Sequence, residues 1–305
     1  DRRALSGAGE SENGVEIPAV GWTGIFGAIP FLFRLIGAVR KAGEELSQFK
    51  ADALLGMGGF VSAASVGAAR RGRLPYFLHE SNAIPGRATK FLSGGAKKMF
   101  VGFEECGRHL PKANVSVTGT PVRGRLGKIS KEEALKKLGL HPKRHLVAIL
   151  GGSQGAKGIN EAMLRGLPAL KSLANTIQIL HLAGEAHAEK VRHGYDHSGF
   201  SAVVLGFCDD MDAVYAAADL VVSRAGAGTL AELAACGVPS ILIPFPAAVD
   251  DHQTANAHAF ADRGAAEIVA EKNLVGTELG QRIARLLGDS VRQEHMRRAA
   301  RLHFT

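Results

Sequence analysis

The sequence predicts an α/β protein made of two doubly wound domains, each a parallel sheet covered by helices on both faces. Short apolar, β-branched segments alternate with helical patterns along the chain. These segments lack the alternating polarity of a sheet with one solvated face, so we expect both faces to be buried. At 305 residues the chain is long enough for two domains of ordinary size.

Eleven segments are predicted strands, divided by one charged stretch. Residues 119–144 contain two prolines and one amphipathic helical segment, EEALKKLGL, which predicts a boundary near 123–126 and domains over 1–123 and 124–305. Ligands of doubly wound sheets bind at the carboxyl ends of the strands, so we expect a cleft where the two domains face each other. The predicted strands are 15–20, 52–55, 75–79, 98–102, 115–118, 145–150, 177–182, 202–205, 219–222, 240–243 and 266–269.

The composition is that of a globular protein, with 46% hydrophobic and 22% charged residues, which excludes disorder. A formal charge of +8 suits nucleic acid, an anionic membrane surface or phosphorylated substrates. Aromatic residues make up only 6% and are not interleaved with basic ones, so nucleic-acid binding is disfavoured. Cys106, Cys208 and Cys236 lack paired spacing, which argues against disulfides or structural zinc and fits a reducing cytoplasm.

Residues 25–39 are strongly apolar but too short to span a bilayer, and Pro30 and Arg34 interrupt them. One interpretation is a buried helix of the first domain. The other is a helix whose apolar side touches the membrane, with Arg34, Arg40 and Lys41 near lipid head groups. Both remain open on the sequence. The polar, glycine-rich start of the chain is typical of a segment within a longer protein.

Three glycine-rich turns, at 56–62, 151–155 and 224–229, follow predicted strands and lead into helices. Glycine permits a left-handed backbone and close approach, and a helix N-terminus offers free N–H groups. The turns therefore suit phosphate, although each alone also suits any tight strand-to-helix connection. Gly226-x-Gly228-x-x-Ala231 matches a dinucleotide fingerprint, but on about the fourth strand of its domain and with no acidic residue after the next strand, which argues against a dehydrogenase.

Three further side chains are candidates for ligand contacts. Glu232 lies one turn into the helix after the third glycine turn, where it either accepts ribose hydroxyls or is a solvated or capping glutamate. Arg123 follows a strand and a proline and is suited to holding a diphosphate in a bidentate manner. Gln253 precedes a predicted helix and is suited to bonding sugar hydroxyls.

Two acidic motifs raise the question of a metal site. Asp210-Met-Asp212 has the Asp-x-Asp spacing of metal-dependent sugar transferases, but it begins a helix, where acidic residues favour the dipole. Asp250, Asp251 and His252 are adjacent, so their side chains point apart. Helix capping is the prediction for the aspartates, and no metal is expected.

Seven motifs follow one another along the chain: GMGGFVS, HESNAIPG, TGTPVR, LGGSQGAKGIN, GFCDDM, RAGAGTLAELAACGVPSILIPFP and DDHQTANA. In this order they resemble those of the bacterial peptidoglycan glucosaminyltransferase family, and the resemblance runs from residue 1 almost to 305. It implies a GT-B fold of two Rossmann-like domains. It also implies inverting transfer of N-acetylglucosamine from UDP-N-acetylglucosamine to the muramoyl 4-hydroxyl of undecaprenyl-diphosphate-linked muramoyl-pentapeptide, a step of cell-wall biogenesis on which cell shape and division depend.

The resemblance implies a donor site that needs no cofactor, lying mainly in the C-terminal domain. Asn82 and Arg123 reach the donor from the N-terminal side, Ser153 contacts the diphosphate, Glu232 the ribose hydroxyls and Gln253 the hexose. The full set carried over is Asn82, Arg123, Ser153, Cys208, Ala227, Gly228, Thr229, Leu230, Ala231, Glu232 and Gln253.

The sequence departs from the family pattern at four places. HESN stands where HEQN is common, TPVR where NPVR is common, and Cys208 at a uracil-contacting position that is usually isoleucine and that a backbone contact would preserve. The family's opening GGTGGH turn, whose histidine is the proposed general base, is not found. We therefore predict no catalytic residue and expect the acceptor half of the site to be only partly present; if this chain is active, His79 is the residue to test.

The resemblance further implies a peripheral enzyme on the cytoplasmic face of the inner membrane, with an anionic lipid surface as a partner and no nucleic acid. Two alternatives stay open. One is a related GT-B transferase acting on another lipid, such as diacylglycerol. The other is a nucleotide-sugar-binding protein that is not itself catalytic.

Overall fold

The computed structural model describes residues 28–152 and 155–302, which fall into two compact units. Unit 1 consists of the chain up to Glu80 together with Pro85–Phe100 and His109–Ser116. Unit 2 consists of Ser81–Ile84, Val101–Arg108 and the chain from Val117 onward. The predicted strand at 15–20 lies outside the described residues, and the boundary near 123 stays a prediction.

The first half of the described chain forms a sheet of four described strands in the order β1-β2-β3-β4. Strands β1 and β2 are parallel, with Leu54 opposite Tyr76. The strands predicted at 52–55, 75–79, 98–102 and 115–118 are confirmed apart from their end residues. The elements are α1 (Ala28–Gln48), β1 (Leu54–Gly56), α2 (Gly59–Arg71), β2 (Tyr76–Glu80), α3 (Arg87–Ser93), β3 (Lys98–Val101), α4 (Glu104–Arg108) and β4 (Val115–Val117).

Helix α1 buries one side and exposes the other. Ala38 packs with Ala64 of α2, and a Cβ on Gly67 would lie 3.1 Å from a methyl group of Val39. Arg34 is exposed, and so is Ile36, at 56%. No helix in the described part of the chain has the length and apolarity needed to cross a membrane. The helix therefore has a buried face, as the interpretation of a buried helix requires. It also has an exposed face, as the interpretation of a membrane-contacting helix requires.

The second half forms a six-stranded sheet, and its six predicted strands are confirmed with end differences of at most one residue. The described residues of this half also form 3-10 segments at Leu167–Leu173, Val249–Asp251 and Glu271–Asn273. The elements are α5 (Lys131–Lys137), β5 (His145–Leu150), α6 (Lys157–Gly166), β6 (Ile177–Leu182), α7 (Ala188–Tyr195), β7 (Ala202–Leu205), α8 (Met211–Ala217), β8 (Leu220–Ser223), α9 (Ala227–Cys236), β9 (Ser240–Leu242), α10 (His252–Ala261), β10 (Ala266–Ile268), α11 (Glu278–Leu287) and α12 (Ser290–Leu302).

All neighbouring strands of this sheet are parallel, in the order β10-β9-β8-β5-β6-β7. The chain builds outward from β5 to β7, returns to the other side of β5, and builds outward again from β8 to β10. This is the doubly wound order, whose direction switches between β5 and β8. Ligands of such sheets bind beyond the carboxyl ends of the strands at the switch.

The sheet of unit 2 is covered on both faces, as the uninterrupted apolar strands predict. Leu146, Ala148 and Leu150 of β5 belong to one buried cluster, whereas Val147 and Ile149 belong to another. Because successive side chains of a strand point to opposite faces, this alternation shows a hydrophobic layer on each side. The two layers fix the positions at which the strands end and the turns of the site begin.

Candidate functional site

Two of the predicted glycine-rich turns follow β5 and β8, the strands at the switch. Gly155, in the turn after β5, has φ of +75°. A Cβ there would lie 2.5 Å from the carbonyl oxygen of Ala183, so only glycine fits. Helices α6 and α9, which follow the turns, begin without a side-chain cap. Their first N–H groups are therefore suited to an anion at the switch.

Glu232 lies in the second turn of α9, and both of its carboxylate oxygens are engaged. The Tyr215 hydroxyl donates a hydrogen bond of 2.9 Å to Oε2, and Arg123 Nη2 donates one of 3.2 Å to Oε1. The Glu232 side chain is 22% exposed and that of Arg123 is 44% exposed. The interpretation of Glu232 as a solvated or capping glutamate is therefore wrong, and two side chains that we expect to bind the donor pair with each other.

Cys208 follows β7 and lies close enough to Arg123 for the guanidinium charge to act on its thiol. Burial is the main cause that raises the pKa of Cys208, so the thiol is protonated at neutral pH. Asp210, two residues further on, accepts a hydrogen bond from the backbone N–H of Ala213 and pairs with Lys137. The predicted capping role of Asp210 is confirmed.

Arg224 links the turn after β8 to the end of β9. Its Nη1 donates to the carbonyl oxygens of Ile243 and Pro244 at 3.1 and 3.2 Å, and its guanidinium lies 5.2 Å from the centre of the Phe245 ring. Its Nη2 forms an ion pair with Glu271 Oε2 at 2.5 Å. Arg224 belongs to a turn that the sequence analysis considered suited to phosphate, but the contacts of its own side chain are with protein groups.

Glu271 extends this link to the other turn. A Cβ on Gly158, in the first turn of α6, would overlap the Glu271 carboxylate, so the carboxylate lies directly against the start of that helix. Arg224 and Glu271 thereby connect the turn after β8 with the helix that follows β5. This pair therefore helps to hold the turn after β8 in place relative to the N-terminus of α6.

Gln253, in the first turn of α10, accepts a hydrogen bond of 3.0 Å from the backbone N–H of Phe245. This bond uses the amide oxygen, and the Nε2 group of the same side chain is chemically suited to donate to a sugar hydroxyl. Asp251 precedes the helix with φ of +51° and accepts a bond from the Thr254 hydroxyl, not from a backbone N–H. The prediction that an aspartate caps α10 through its side chain is therefore wrong for Asp251.

Asn256 ties the loop after β2 to the turn after β8. It is fully buried, donates to Asn82 Oδ1 at 3.0 Å and to the Ala225 carbonyl at 3.2 Å, and accepts from the Ala83 N–H at 2.8 Å. Asn82, a predicted donor contact, is thus held beside the third glycine turn. The DDHQTANA motif contains Asn256, but nothing in the sequence assigned it this role.

Three buried polar side chains connect α6 to β6 and α7 through hydrogen bonds. Asn160 Nδ2 donates to the Ala183 carbonyl at 3.0 Å, so Asn160 Oδ1 accepts at 3.0 Å from His181 Nε2. His181 Nδ1 then accepts at 2.9 Å from the Tyr195 hydroxyl. Burial lowers the pKa of His181 to about 3, so the imidazole is neutral and keeps this tautomer.

A small cavity lies along one side of α9, within unit 2. It is lined by the helix residues Ala227, Leu230, Ala231 and Ala234, and its remaining lining residues are Gly102, Phe103, Gly119, Thr120 and Phe260. Ala227, Leu230 and Ala231 face this cavity, whereas Glu232 points to Tyr215 and Arg123. In the predicted stretch from Ala227 to Glu232, one side of the helix thus lines the cavity and another side carries the Glu232 carboxylate.

Ser153 is the one predicted site residue that lies outside the described residues. Among those that are described, the structure groups Arg123, Cys208 and Glu232, and places Asn82 and Gln253 through Asn256 and Phe245 respectively. No group of three or more His, Cys, Asp or Glu side chains in the described part of the chain is placed to hold a metal ion. The site offers N–H groups, a guanidinium, an amide and a carboxylate.

Comparison with known proteins shows the family to which the chain belongs. The profile of the glycosyltransferase family 28 C-terminal domain matches residues 146–305, more than half of the chain, and that of the family's N-terminal domain matches residues 11–101. The chain belongs to glycosyltransferase family 28. The two parallel-sheet α/β units are those of the GT-B fold, which confirms the predicted fold class.

Relatives within family 28 are similar over most of their length. The chain is 40% identical over 286 residues to a protein of Anaeromyxobacter sp. (strain K), covering 94% of this chain and 73% of the relative. It is 38% identical over 288 residues to one of Myxococcus xanthus (strain DK1622), covering 94% and 74%. Both are named UDP-N-acetylglucosamine–N-acetylmuramyl-(pentapeptide) pyrophosphoryl-undecaprenol N-acetylglucosamine transferase. The predicted resemblance is thereby confirmed.

A solved structure supports the same assignment. The crystal structure of Acinetobacter baumannii MurG is 31% identical and superposes with a TM-score of 0.74, covering 99% of this chain and 83% of that protein. The chain is therefore a family 28 glycosyltransferase in fold as well as in sequence.

Proposed function

We propose that this chain transfers N-acetylglucosamine from UDP-N-acetylglucosamine to the muramoyl 4-hydroxyl of an undecaprenyl-diphosphate-linked muramoyl-pentapeptide. The observation that carries the proposal is the pairing of Arg123 with Glu232 of α9, the helix that follows β8 at the switch of a doubly wound sheet. A nucleoside diphosphate bound at this place would use a cation for its phosphates and a carboxylate for its ribose hydroxyls. The names of the family 28 relatives supply the sugar and the acceptor.

In the proposed donor complex each group has a separate role. The N-termini of α6 and α9, with Ser153, bind the diphosphate, and Arg123 turns from Glu232 to the phosphate oxygens. Glu232 accepts from the ribose hydroxyls, the backbone at Cys208 contacts uracil, and Gln253 donates to the hexose. The remaining predicted residues, Asn82 and Ala227 through Ala231, line the rest of the proposed donor site.

The proposed reaction is a direct displacement with inversion. The acceptor oxygen forms a bond to the anomeric carbon while the bond from that carbon to the β-phosphate oxygen breaks, and UDP leaves with the electron pair. The hydroxyl proton passes to a base, which we do not assign to a residue of this chain. N–H groups at two helix ends and the Arg123 guanidinium stabilise the negative charge that develops on the leaving diphosphate.

Titration calorimetry with UDP-N-acetylglucosamine tests the donor site. We expect Glu232→Ala and Ser153→Ala each to weaken binding about tenfold or more, since each removes a hydrogen bond to the ligand. Glu294→Ala, an exposed glutamate of α12, is the matched control and should bind as the wild type does. Unchanged affinity in both site variants would contradict the assignment.

The acceptor distinguishes the proposal from its alternatives. We expect release of UDP with a muramoyl-pentapeptide lipid and not with diacylglycerol. Turnover with diacylglycerol instead would favour a glycolipid transferase, and tight donor binding without transfer to either lipid would favour a binding protein. His79→Ala then shows whether that buried side chain takes part in turnover.

We further propose that unit 1 binds peripherally to an anionic membrane surface at the cytoplasmic face, where a lipid-linked acceptor is accessible. Ile36 and the exposed Arg34 and Arg40 of α1 combine an apolar side chain with positive charge. Phe91 of α3 is 80% exposed and stands beside the exposed Lys90. Apolar side chains among basic ones suit insertion at the head-group level.

A further inference from the structure

Tyr215 holds the carboxylate that we assign to ribose binding, and no sequence motif singled it out. Its hydroxyl donates at 2.9 Å to Glu232 Oε2, while Arg123 donates at 3.2 Å to Oε1. The two partners differ in accessibility, because Tyr215 is only 2% exposed and the Arg123 side chain is 44% exposed. Tyr215 therefore approaches from the protein interior and Arg123 from the solvent.

The position of the Tyr215 hydroxyl is fixed by its surroundings. The ring lies in the buried cluster that contains Leu230 and Leu233 of α9, and the helix that carries it, α8, is capped by Asp210. A tyrosine has few rotatable bonds, so a packed ring leaves its hydroxyl little freedom. Glu232, 17 positions further along the chain and in another helix, is held by this fixed point.

The hydroxyl also stays a donor under all physiological conditions. Burial, followed by the negative charge of Glu232, raises the pKa of Tyr215 well above its ordinary value. A neutral phenol beside a carboxylate donates its hydrogen bond to it. Arg123 can be drawn away by a phosphate group, but the buried phenol has no alternative partner of comparable charge in the contacts described for it.

A carboxylate offers about four lone-pair positions on its two oxygens. Tyr215 occupies one of them on Oε2, and the departure of Arg123 frees Oε1. The remaining positions lie in the plane of the carboxylate, and a ribose with two neighbouring hydroxyls donates to both oxygens only if that plane is correctly turned. The Tyr215 bond restricts the rotation of this plane before the ligand arrives.

We propose that Tyr215 is a positioning and specificity-determining residue, which orients the Glu232 carboxylate so that the site selects ribonucleotides over 2′-deoxyribonucleotides. The inference rests on the proposed function, because it takes Glu232 as the ribose acceptor. A site built to bond a substrate hydroxyl rejects the analogue that lacks it, and this rejection depends on how well the acceptor is placed. Tyr215 acts through Glu232 and does not itself touch the ligand.

Calorimetry with UDP and 2′-deoxy-UDP tests the inference on the wild type and on Tyr215→Phe, which keeps the ring and removes the hydroxyl. We expect the wild type to prefer UDP, and Tyr215→Phe to bind UDP about five- to tenfold more weakly while its affinity for 2′-deoxy-UDP changes less than about twofold. A structural role alone would weaken both ligands by the same factor. An equal loss for both, or no loss for either, overturns the inference.

Two further variants sharpen this test. In a Glu232→Gln background, Tyr215→Phe should have no further effect on the preference, since the two residues act as a pair; independent effects of the two changes would contradict the proposal. Tyr76→Phe is the matched control, a buried tyrosine of unit 1 whose hydroxyl donates to the Leu92 carbonyl, and it should leave both affinities unchanged. Tyr215→Met replaces Tyr215→Phe if thermal denaturation shows that the latter does not fold.

The outcomes separate this inference from the proposed function. A wild type that fails to bind UDP contradicts both. A wild type that binds UDP and 2′-deoxy-UDP equally well supports the donor site but overturns the role of Tyr215. A loss of preference confined to Tyr215→Phe and Glu232→Gln supports both.

Discussion

Asn256 Nδ2 donates a hydrogen bond of 3.0 Å to Asn82 Oδ1, joining two residues 174 positions apart in the sequence. Asn256 also accepts from the Ala83 N–H and donates to the Ala225 carbonyl. One fully buried amide thus satisfies backbone groups of two loops that we expect to line the donor site. The loop after β2 and the turn after β8 are positioned by a side chain that need not touch the ligand.

Replacing Asn256 should destabilise unit 2. In Asn256→Ala the Ala83 N–H and the Ala225 carbonyl lose their partner in a buried place, and we expect a loss of about 2 to 4 kcal/mol in the free energy of unfolding. Denaturant unfolding of the purified chain measures it. Asn114→Ala, at an exposed asparagine whose amide contacts the Lys97 carbonyl at 3.4 Å, is the control and should change stability by less than about 0.5 kcal/mol. A stable Asn256→Ala would show that water replaces the amide.

The strands of this fold could be predicted from the sequence because each is a short run of buried apolar residues that ends at glycine or polar residues. Strands β5, β6 and β7 begin and end at the predicted residues. Helix α1 was predicted less well: the apolar segment ends at residue 39, but the helix continues to Gln48. Beyond that point only one face is buried, at Ala42, so polarity does not mark the end of the helix.

The site could be predicted residue by residue but not as a network. Arg123, Glu232, Asn82 and Gln253 were singled out by their motifs. Their partners Tyr215 and Asn256 were not, because a hydrogen bond between distant segments depends on the packing of the helices that carry the two side chains. Arg224 was likewise not predicted as part of this network, although it lies in a glycine-rich turn and donates to two backbone carbonyls near the end of β9.

Arg123 and Glu232 bind each other, and we expect this pair to open when the donor binds. Arg123→Ala removes a phosphate partner and at the same time releases Glu232 Oε1. UDP should therefore bind about tenfold or more weakly, whereas uridine, which has no phosphate, should bind as well as to the wild type or better. Calorimetry with both ligands measures the difference. Arg125→Ala, an exposed arginine paired with Asp212, is the control; a parallel loss of uridine binding would show that Arg123 holds Glu232 in place and not the phosphates.

His181 should make the stability of unit 2 depend on pH. Its folded pKa of about 3 lies below the ordinary value of 6.5, so the unfolded chain binds a proton more readily and stability falls as the pH drops below 6.5. Between pH 7.5 and 5.5 the wild type should lose on the order of 1 kcal/mol more than His181→Gln, which cannot take up this proton. Denaturant unfolding at the two pH values measures this difference. Equal losses would mean that His181 is protonated in the folded protein.

Membrane binding should depend on the basic side chains of α1. Anionic lipid attracts each basic residue near its surface by about 1 kcal/mol, so Arg34→Glu with Lys41→Glu should reduce binding to phosphatidylglycerol vesicles at least about tenfold. Flotation of the protein with anionic and with neutral vesicles measures it, and added salt should release the wild type. The control is Lys171→Glu with Lys272→Glu, which makes the same change in net charge at exposed positions of unit 2. If both double variants lose binding equally, net charge and not the surface of α1 causes the attraction; if neither loses it, α1 is not the contact.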